Sequence, residues 1–137
     1  MYSGLRFLPA LKTAAYFSFF ILLMGLASCK KKEQWIDVDP AFAKYIEAYS
    51  TGIVSKTSAI RIQLSTDAAT THTVGQPVKE DLFEFTPSLK GKAIWLDART
   101  IEFKAEKNML PDQLYTVNFA LGKVTKVPSA YDKFKFN

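Results

Sequence analysis

Cysteine and histidine are nearly absent from this chain of 137 residues, which holds one of each, Cys29 and His72. A single cysteine forms no internal disulfide bond, and it excludes the zinc and iron–sulfur sites that several cysteines hold together. An apolar core alone must therefore stabilise the folded region. About 100 residues follow Cys29, and that length is enough for one small domain with its own core.

Sequence motifs for chemistry are missing as well. His72 lies in the polar stretch 69–73 without an obvious second metal ligand, so we interpret it as a loop residue rather than a metal ligand or catalytic base. The sequence has no glycine-rich phosphate loop and no serine nucleophile elbow. Its carboxylates, serines and lysines are scattered without the spacing of a general acid, base or nucleophile. We predict no catalytic residue, no metal or cofactor site and no small-molecule substrate, and we expect that the chain is not an enzyme.

The net charge of +5 arises entirely before Glu33. Five of the 18 basic residues lie there, namely Arg6, Lys12 and residues 30–32, which leaves 13 basic residues against 13 acidic ones in the rest of the chain. Nucleic-acid binding requires basic residues clustered on the folded domain. We therefore do not expect a nucleic-acid partner.

The amino-terminal segment has the layout of a secretory signal peptide, with basic residues, an apolar run over 14–26 and small residues at a cleavage site. The run is about thirteen residues long, whereas roughly 20 apolar residues span a bilayer. Three lysines at 30–32 follow almost at once, and their charges oppose insertion. A transmembrane anchor is therefore not predicted.

The sequence Leu26-Ala27-Ser28-Cys29 resembles the lipobox of bacterial lipoproteins. The resemblance implies cleavage between Ser28 and Cys29 and attachment of a diacylglyceryl group to the Cys29 thiol. Several acyl chains on one residue anchor a protein stably, because each buried methylene contributes about 0.8 kcal/mol. Lys30 stands where an aspartate would resemble an inner-membrane retention signal, so we expect a lipid anchor in the outer membrane, with the membrane face left open.

These observations divide the chain into a signal peptide at 1–28, a membrane tether at 29–41 and a domain at 42–137. Two structures compete where the domain begins. Asp39 and Pro40 are typical of a helix start, and apolar residues follow them at helical spacing. Residues 45–49 suit a strand equally well, and propensity alone leaves both structures open.

Beyond Gly52, apolar and polar residues alternate with a period of two, which predicts half-buried strands. The alternating segments are 60–64, 83–85, 94–96, 101–104, 115–121 and 133–136. One polar face per strand is typical of antiparallel sheets, and most connections are too short for a parallel crossover. We predict an all-β fold, an antiparallel sandwich of six or seven strands.

The apolar faces of these strands predict the core, although a slip of one residue would invert a face. We expect the core to contain Ile60, Ile62, Leu64, Phe83, Phe85, Ile101, Phe103, Tyr115, Val117 and Phe119. Trp95 should fill the core or its rim rather than serve as a ligand platform. Asp97, Arg99 and Glu102 should form a turn with a local ion pair, worth only ~0–1 kcal/mol at the surface, rather than a charged site.

Five segments resemble, in order and at compatible spacing, the first macroglobulin-like domain of bacterial alpha-2-macroglobulin lipoproteins of the Bacteroidetes type. They are residues 45–62, 74–78, 85–91, 94–103 and 110–115. The lipobox fits this family, since its members are tethered to membranes. The resemblance implies a seven-stranded Ig-like, macroglobulin-like β-sandwich whose first strand is 45–50, which rejects the helix there. It further implies the N-terminal structural domain of a membrane-anchored endopeptidase inhibitor.

Members of that family trap proteases after a bait region is cut, and many bond the protease through a Cys-Gly-Glu-Gln thioester. This sequence has neither a bait region nor a thioester motif. We therefore expect either a fragment of a longer reading frame or a stand-alone first domain. Its expected partners are the membrane, neighbouring macroglobulin-like domains and, through a parent protein, proteases. The alternative is an Ig-like surface lipoprotein that adheres or binds a polysaccharide or a partner protein.

Overall fold

Seven short strands in two antiparallel sheets dominate the computed structural model, which describes residues 34–137. The strands are β1 (Ile46–Tyr49), β2 (Ile60–Leu64), β3 (Phe83–Thr86), β4 (Gly91–Trp95), β5 (Thr100–Ala105), β6 (Thr116–Phe119) and β7 (Phe134–Phe136). Three short 3-10 helices accompany them, η1 (Pro40–Lys44), η2 (Leu121–Lys123) and η3 (Ser129–Tyr131). The predicted all-β fold is confirmed at this level, and the predicted count of six or seven strands fits.

The first sheet has the strand order β1-β2-β5-β4, and the second has the order β3-β6-β7. Every neighbouring pair is antiparallel. Residues of both sheets contribute to one apolar core, as two packed layers require. The arrangement is therefore compatible with the predicted sandwich.

The helix and the strand that the sequence offered as alternatives for the start of the domain both form, in adjacent segments. The Asp39 carboxylate accepts a hydrogen bond from the Ala41 N–H at 2.8 Å, and Pro40 fills the first position of η1. These are the capping and proline preferences of a helix start. The chain then turns at Tyr45 and enters β1 at Ile46. The predicted first strand is confirmed, one residue shorter at each end.

The core is apolar throughout. Its largest fully buried side chains are Phe119, Phe134, Phe136, Ile62, Leu64, Ile101 and Leu121. No polar or charged side chain among residues 34–137 is buried. Folding of this unit therefore desolvates no described polar side chain completely, which avoids the cost of burying an unpaired polar group.

Two predicted core residues, Phe83 and Tyr115, are only half-buried, and they pack against the core at its edge rather than inside it. Phe83 opens β3 at the core edge, where its ring centroid lies 5.0 Å from that of Phe119. Tyr115 precedes the first residue of β6, so it lies outside the regular alternation of that strand. The other eight predicted residues are buried.

Two predicted strands are shorter than expected at their carboxyl ends. β6 ends at Phe119, and Leu121 is buried from the 3-10 helix η2 instead. β4 ends at Trp95, which leaves Leu96 in the following turn with 36% of its surface exposed. Trp95 itself is buried, as the sequence predicted.

Gly91 opens β4 where β4 and β5 approach closely. A Cβ atom at this position would lie 2.4 Å from the carbonyl oxygen of Lys104 and 2.4 Å from the ring of Phe103. Both distances are far below van der Waals contact. Only glycine fits here without a shift of the backbone or of the Phe103 ring.

We expect Phe103→Ala to lower the free energy of unfolding by about 3–5 kcal/mol, because truncating a buried phenylalanine leaves a cavity. Phe103 is buried, and its ring centroid lies 4.6 Å from that of Phe85. Urea denaturation measures the loss. Ile53→Ala is the control, since Ile53 is fully exposed and should change stability by less than about 0.5 kcal/mol. A loss below about 1 kcal/mol for Phe103→Ala would contradict its place in the core.

Candidate functional site

The predicted cleavage and lipid-attachment residues, Ser28 and Cys29, lie outside the described residues, so both assignments stay predictions. The signal peptide at 1–28 lies there as well. Within residues 34–137, no helix is long and apolar enough to cross a bilayer. The same part of the chain brings no three His, Cys, Asp or Glu side chains into a group that would hold a metal ion.

The charged residues around the β4–β5 turn form two ion pairs with neighbouring strands. Glu102 Oε2 lies 2.7 Å from Arg61 Nε, because Glu102 and Arg61 are register partners on β5 and β2. Arg99 Nη1 lies 3.1 Å from Glu47 Oε2 on β1. The predicted local ion pair within this turn was therefore wrong. Arg61 and both members of the Arg99–Glu47 pair are exposed, so solvent screens each pair, which is worth ~0–1 kcal/mol and supports the sheet rather than a binding site.

Asp97 organises the turn itself. Its Oδ1 accepts hydrogen bonds from the backbone N–H groups of Arg99 and Thr100, both at 2.8 Å. The backbone N–H of Arg99, followed by the side chain of Thr100, holds the pKa of Asp97 below its usual value of 3.8. The predicted turn is thus confirmed, and hydrogen bonds from Asp97 close it.

A polar groove lies at the end of the structure where β4 stops. The imidazole of His72 stacks on the indole of Trp95, with ring centroids 3.9 Å apart and planes inclined by 20°. His72 Nδ1 lies 3.0 Å from the carbonyl oxygen of Thr70. The groove has a volume of about 660 Å³, and its polar lining includes Thr73, Gln76, Lys79, Glu80 and Lys123. We call it the His72 groove.

His72 lies in a loop, as the sequence predicted, but it does more than connect two strands. Its ring lies against Trp95, which is buried with a relative solvent exposure of only 4%. Movement of the His72 ring would uncover one aromatic face at the wall of the groove. Such a face with threonine, glutamine and lysine side chains around it is chemically suited to a flat, hydroxyl-rich molecule.

The opposite end of the structure carries an apolar surface. Loop 50–59 connects β1 to β2 there, and loop 106–115 leaves β5 at the same end, because Ile60 opposes Phe103 in the register of β2 and β5. Trp35, Ile53, Val54 and Leu110 line this surface and are all exposed. We call it the apolar end surface.

Both termini of the described unit lie at this end. The side chain of Asn137 accepts a hydrogen bond from the Ile36 N–H, and the Thr51 hydroxyl donates to the Asn137 carbonyl oxygen at 2.8 Å. These contacts hold the segment that contains Trp35 beside loop 50–59. The apolar end surface is therefore built from three separate parts of the chain.

The sequence did not predict that the residues of either surface lie together. It weighed Trp95 as a ligand platform and His72 as a loop residue, but nothing in the sequence relates two residues so far apart along the chain. The apolar end surface had a weak local signal: Ile53, Val54 and Leu110 are apolar residues outside every alternating segment. Apolar side chains in loops, with no strand face to bury them, are candidates for contact with a partner.

Comparison of the chain with models of protein families, with curated proteins and with solved structures found no significant match. Its function must therefore be inferred from the sequence patterns and from the geometry of residues 34–137.

We expect Asp97→Asn to lower the free energy of unfolding at neutral pH, because the amide lacks the charge that the turn N–H groups stabilise. The folded-state pKa of Asp97 is lowered, so its contribution is fully present above pH 3.8 and is lost as the pH falls through that lower pKa. The difference in free energy of unfolding between wild type and Asp97→Asn should therefore become smaller in strongly acidic solution. Urea denaturation at a series of pH values measures it, and a difference that stays constant with pH would contradict this role.

Proposed function

We propose that the chain is the N-terminal structural domain of a lipid-anchored, alpha-2-macroglobulin-like endopeptidase inhibitor of the cell envelope. The observation that carries the proposal is the strand order. In constant-type immunoglobulin sandwiches, strands one, two, five and four form one sheet and strands three, six and seven form the other. The orders β1-β2-β5-β4 and β3-β6-β7 agree with that topology. This agreement supports the Ig-like, macroglobulin-like sandwich that the sequence resemblance implies.

A second feature supports the same fold. The Tyr115 hydroxyl accepts a hydrogen bond from the Leu110 N–H at 3.2 Å, directly before the sixth strand. Many immunoglobulin-like sandwiches have a tyrosine at this corner that bonds back to the upstream backbone. Asp112, inside the corner, has a φ of 54°, a left-handed conformation that aspartate tolerates better than most residues. The Leu110-Pro111-Asp112 element of the family resemblance is thus the element that forms this corner.

The resembling segments coincide with elements of the fold. Segment 45–62 covers β1 and the loop into β2, and segment 94–103 covers the turn between β4 and β5. Segment 110–115 forms the tyrosine corner. The resemblance therefore extends over strands and turns of the fold rather than over one motif.

In this function the domain is a structural part rather than the inhibitory part. Covalent trapping requires a thioester cysteine, and Cys29 is assigned to the lipid anchor. Physical trapping requires a bait region and neighbouring domains that close around the protease. The domain would hold such neighbours at the membrane, most simply the outer membrane, through the acyl chains on Cys29.

We expect wild-type protein, but not Cys29→Ala, to incorporate a fatty-acid probe during growth, because the Cys29 thiol is the proposed acceptor. Gel fluorescence after immunoprecipitation measures the labelling, and peptide mass spectrometry identifies the mature amino terminus. His72→Ala is a matched control that should label like wild type. Equal labelling of Cys29→Ala, or a mature terminus other than Cys29, would refute the anchor.

We also expect the chain without residues 1–29 to leave trypsin-like and elastase-like proteases fully active on a large protein substrate. The reason is that it offers no bait region and no thioester. Denaturing electrophoresis should reveal no covalent conjugate. Stoichiometric inhibition would reveal an inhibitory surface on the domain itself and would overturn the structural role.

The His72 groove favours one alternative, an Ig-like surface lipoprotein that binds a polysaccharide or a partner protein. The specific observation is the aromatic face of Trp95 beneath a single loop side chain in a polar groove. Titration of the Trp35→Phe variant with soluble glycans, followed by the fluorescence of the remaining Trp95, separates the two functions. Saturable binding that His72→Ala alters would support the alternative, whereas no response would leave the structural domain as the better proposal.

A further inference from the structure

We propose that the apolar end surface rests against the lipid bilayer to which Cys29 anchors the chain; this inference depends on the lipidation in the proposed function. Single exposed apolar side chains are ordinary, whereas a cluster of them marks a contact surface. Six large hydrophobic side chains are exposed in the described part of the chain, and four of them lie on this surface. These four are Trp35, Ile53, Val54 and Leu110.

Covalent geometry keeps this surface near the anchor. Six residue steps separate Cys29 from Trp35, and an extended chain spans at most about 3.6 Å per residue. The backbone at Trp35 therefore stays within about 22 Å of the backbone at Cys29. A compact unit of about 100 residues is roughly 30 Å across. The stretch from Cys29 to Trp35 is thus shorter than the unit is wide, and Ile36 is already hydrogen-bonded to Asn137 of the folded unit, so the end that carries Trp35 stays on the side of the bilayer.

The exposed side chains have the chemistry of a membrane interface. Tryptophan is enriched at the level of the lipid headgroups, because its ring is apolar while its N–H needs a polar partner. Trp35 is 61% exposed, and Ile53 is completely exposed in loop 50–59. Lys56 and Asp112 also line the surface, so its charges are balanced and its apolar side chains distinguish it.

A neighbouring domain or a second copy of the chain could also cover an apolar surface. The bilayer is favoured because the anchor at Cys29 holds it within reach of every molecule, so its effective concentration at this surface is high. A second copy of the chain must instead associate from solution and lose its translational freedom. A domain joined after Asn137 would also be held near this end, but the exposed Trp35 has the side-chain chemistry of a membrane interface and favours the bilayer.

The test uses the mature protein, lipidated at Cys29, in vesicles of phosphatidylethanolamine and phosphatidylglycerol whose acyl chains are brominated. Bromine quenches tryptophan fluorescence on contact. Because the chain has two tryptophans and Trp95 is buried, we expect a loss that is confined to the emission of Trp35. Trp35→Phe should abolish the quenching, and the emission of this variant measures the background from Trp95.

Matched aspartate substitutions locate the contact. Ile53→Asp and Leu110→Asp add a charge to the apolar end surface and should reduce the quenching several-fold. Val74→Asp is the control, because Val74 is also exposed but lies in the loop beside the His72 groove, outside the apolar end surface. Circular dichroism and thermal unfolding verify that each variant is folded before the comparison.

The outcomes separate this inference from the function on which it rests. Intact mass of the vesicle-bound protein reports the acyl chains: if Cys29 carries none, the proposed anchor and this inference both fall. If the lipidated protein is bound but brominated lipids leave Trp35 unquenched, the anchor stands and the inference is overturned. Cross-linking between copies through this surface, without quenching, would assign it to a second copy and would also overturn the inference.

Discussion

Burial of apolar side chains between two sheets is the interaction on which the rest of this structure depends, because a chain with one cysteine has no disulfide bond to join the sheets. Ile62 and Ile101 are register partners on the two central strands of the first sheet, and both are fully buried. Phe119 and Phe134 pair in the same way on the second sheet. The stability of small domains is a small difference between large opposing terms, so each of these side chains matters. The turns, grooves and end surfaces keep their geometry only while this core holds.

Local patterns in the sequence predicted most of the strands but few of their partners. Period-two alternation is visible in any short window, so the centres of β2, β3 and β5 could be recognised directly. Leu82, Met109 and Val124 are buried from loops and a helix end, where no period marks them. The partners of Arg99 and Glu102 could not be predicted either, because strand order decides which charges meet.

The candidate surfaces were less predictable than the core for the same reason. Each consists of segments that are distant in sequence and meet only after the sheets have formed. His72 and Trp95 meet because β4 ends beside the loop that follows β2. Three segments form the apolar end surface because their strands and the amino-terminal segment share one end of the sheets. Sequence alone drew attention to His72 and Trp95 as single residues, and it identified neither their contact nor the apolar end surface.

The two ends of the sheets differ in chemistry, and the strands set the distance between them. A strand of five residues, such as β4, spans roughly 16 Å. One end is apolar, and the other holds a polar groove with an aromatic wall. If the apolar end lies on the bilayer, the groove opens on the far side, where soluble molecules approach without crossing the headgroup layer.

The stacking of His72 on Trp95 makes the NMR signals of the His72 ring a probe of the groove. His72 is the only imidazole of the chain, so its carbon-bound ring protons have no counterparts in a proton NMR spectrum. With the ring centroids 3.9 Å apart, these protons lie where the ring current of the indole shields them, and their resonances are displaced upfield. A molecule that displaced the imidazole would return them towards the frequencies of free histidine. Occupancy of the groove is therefore readable from the Hδ2 and Hε1 signals of the unmodified protein.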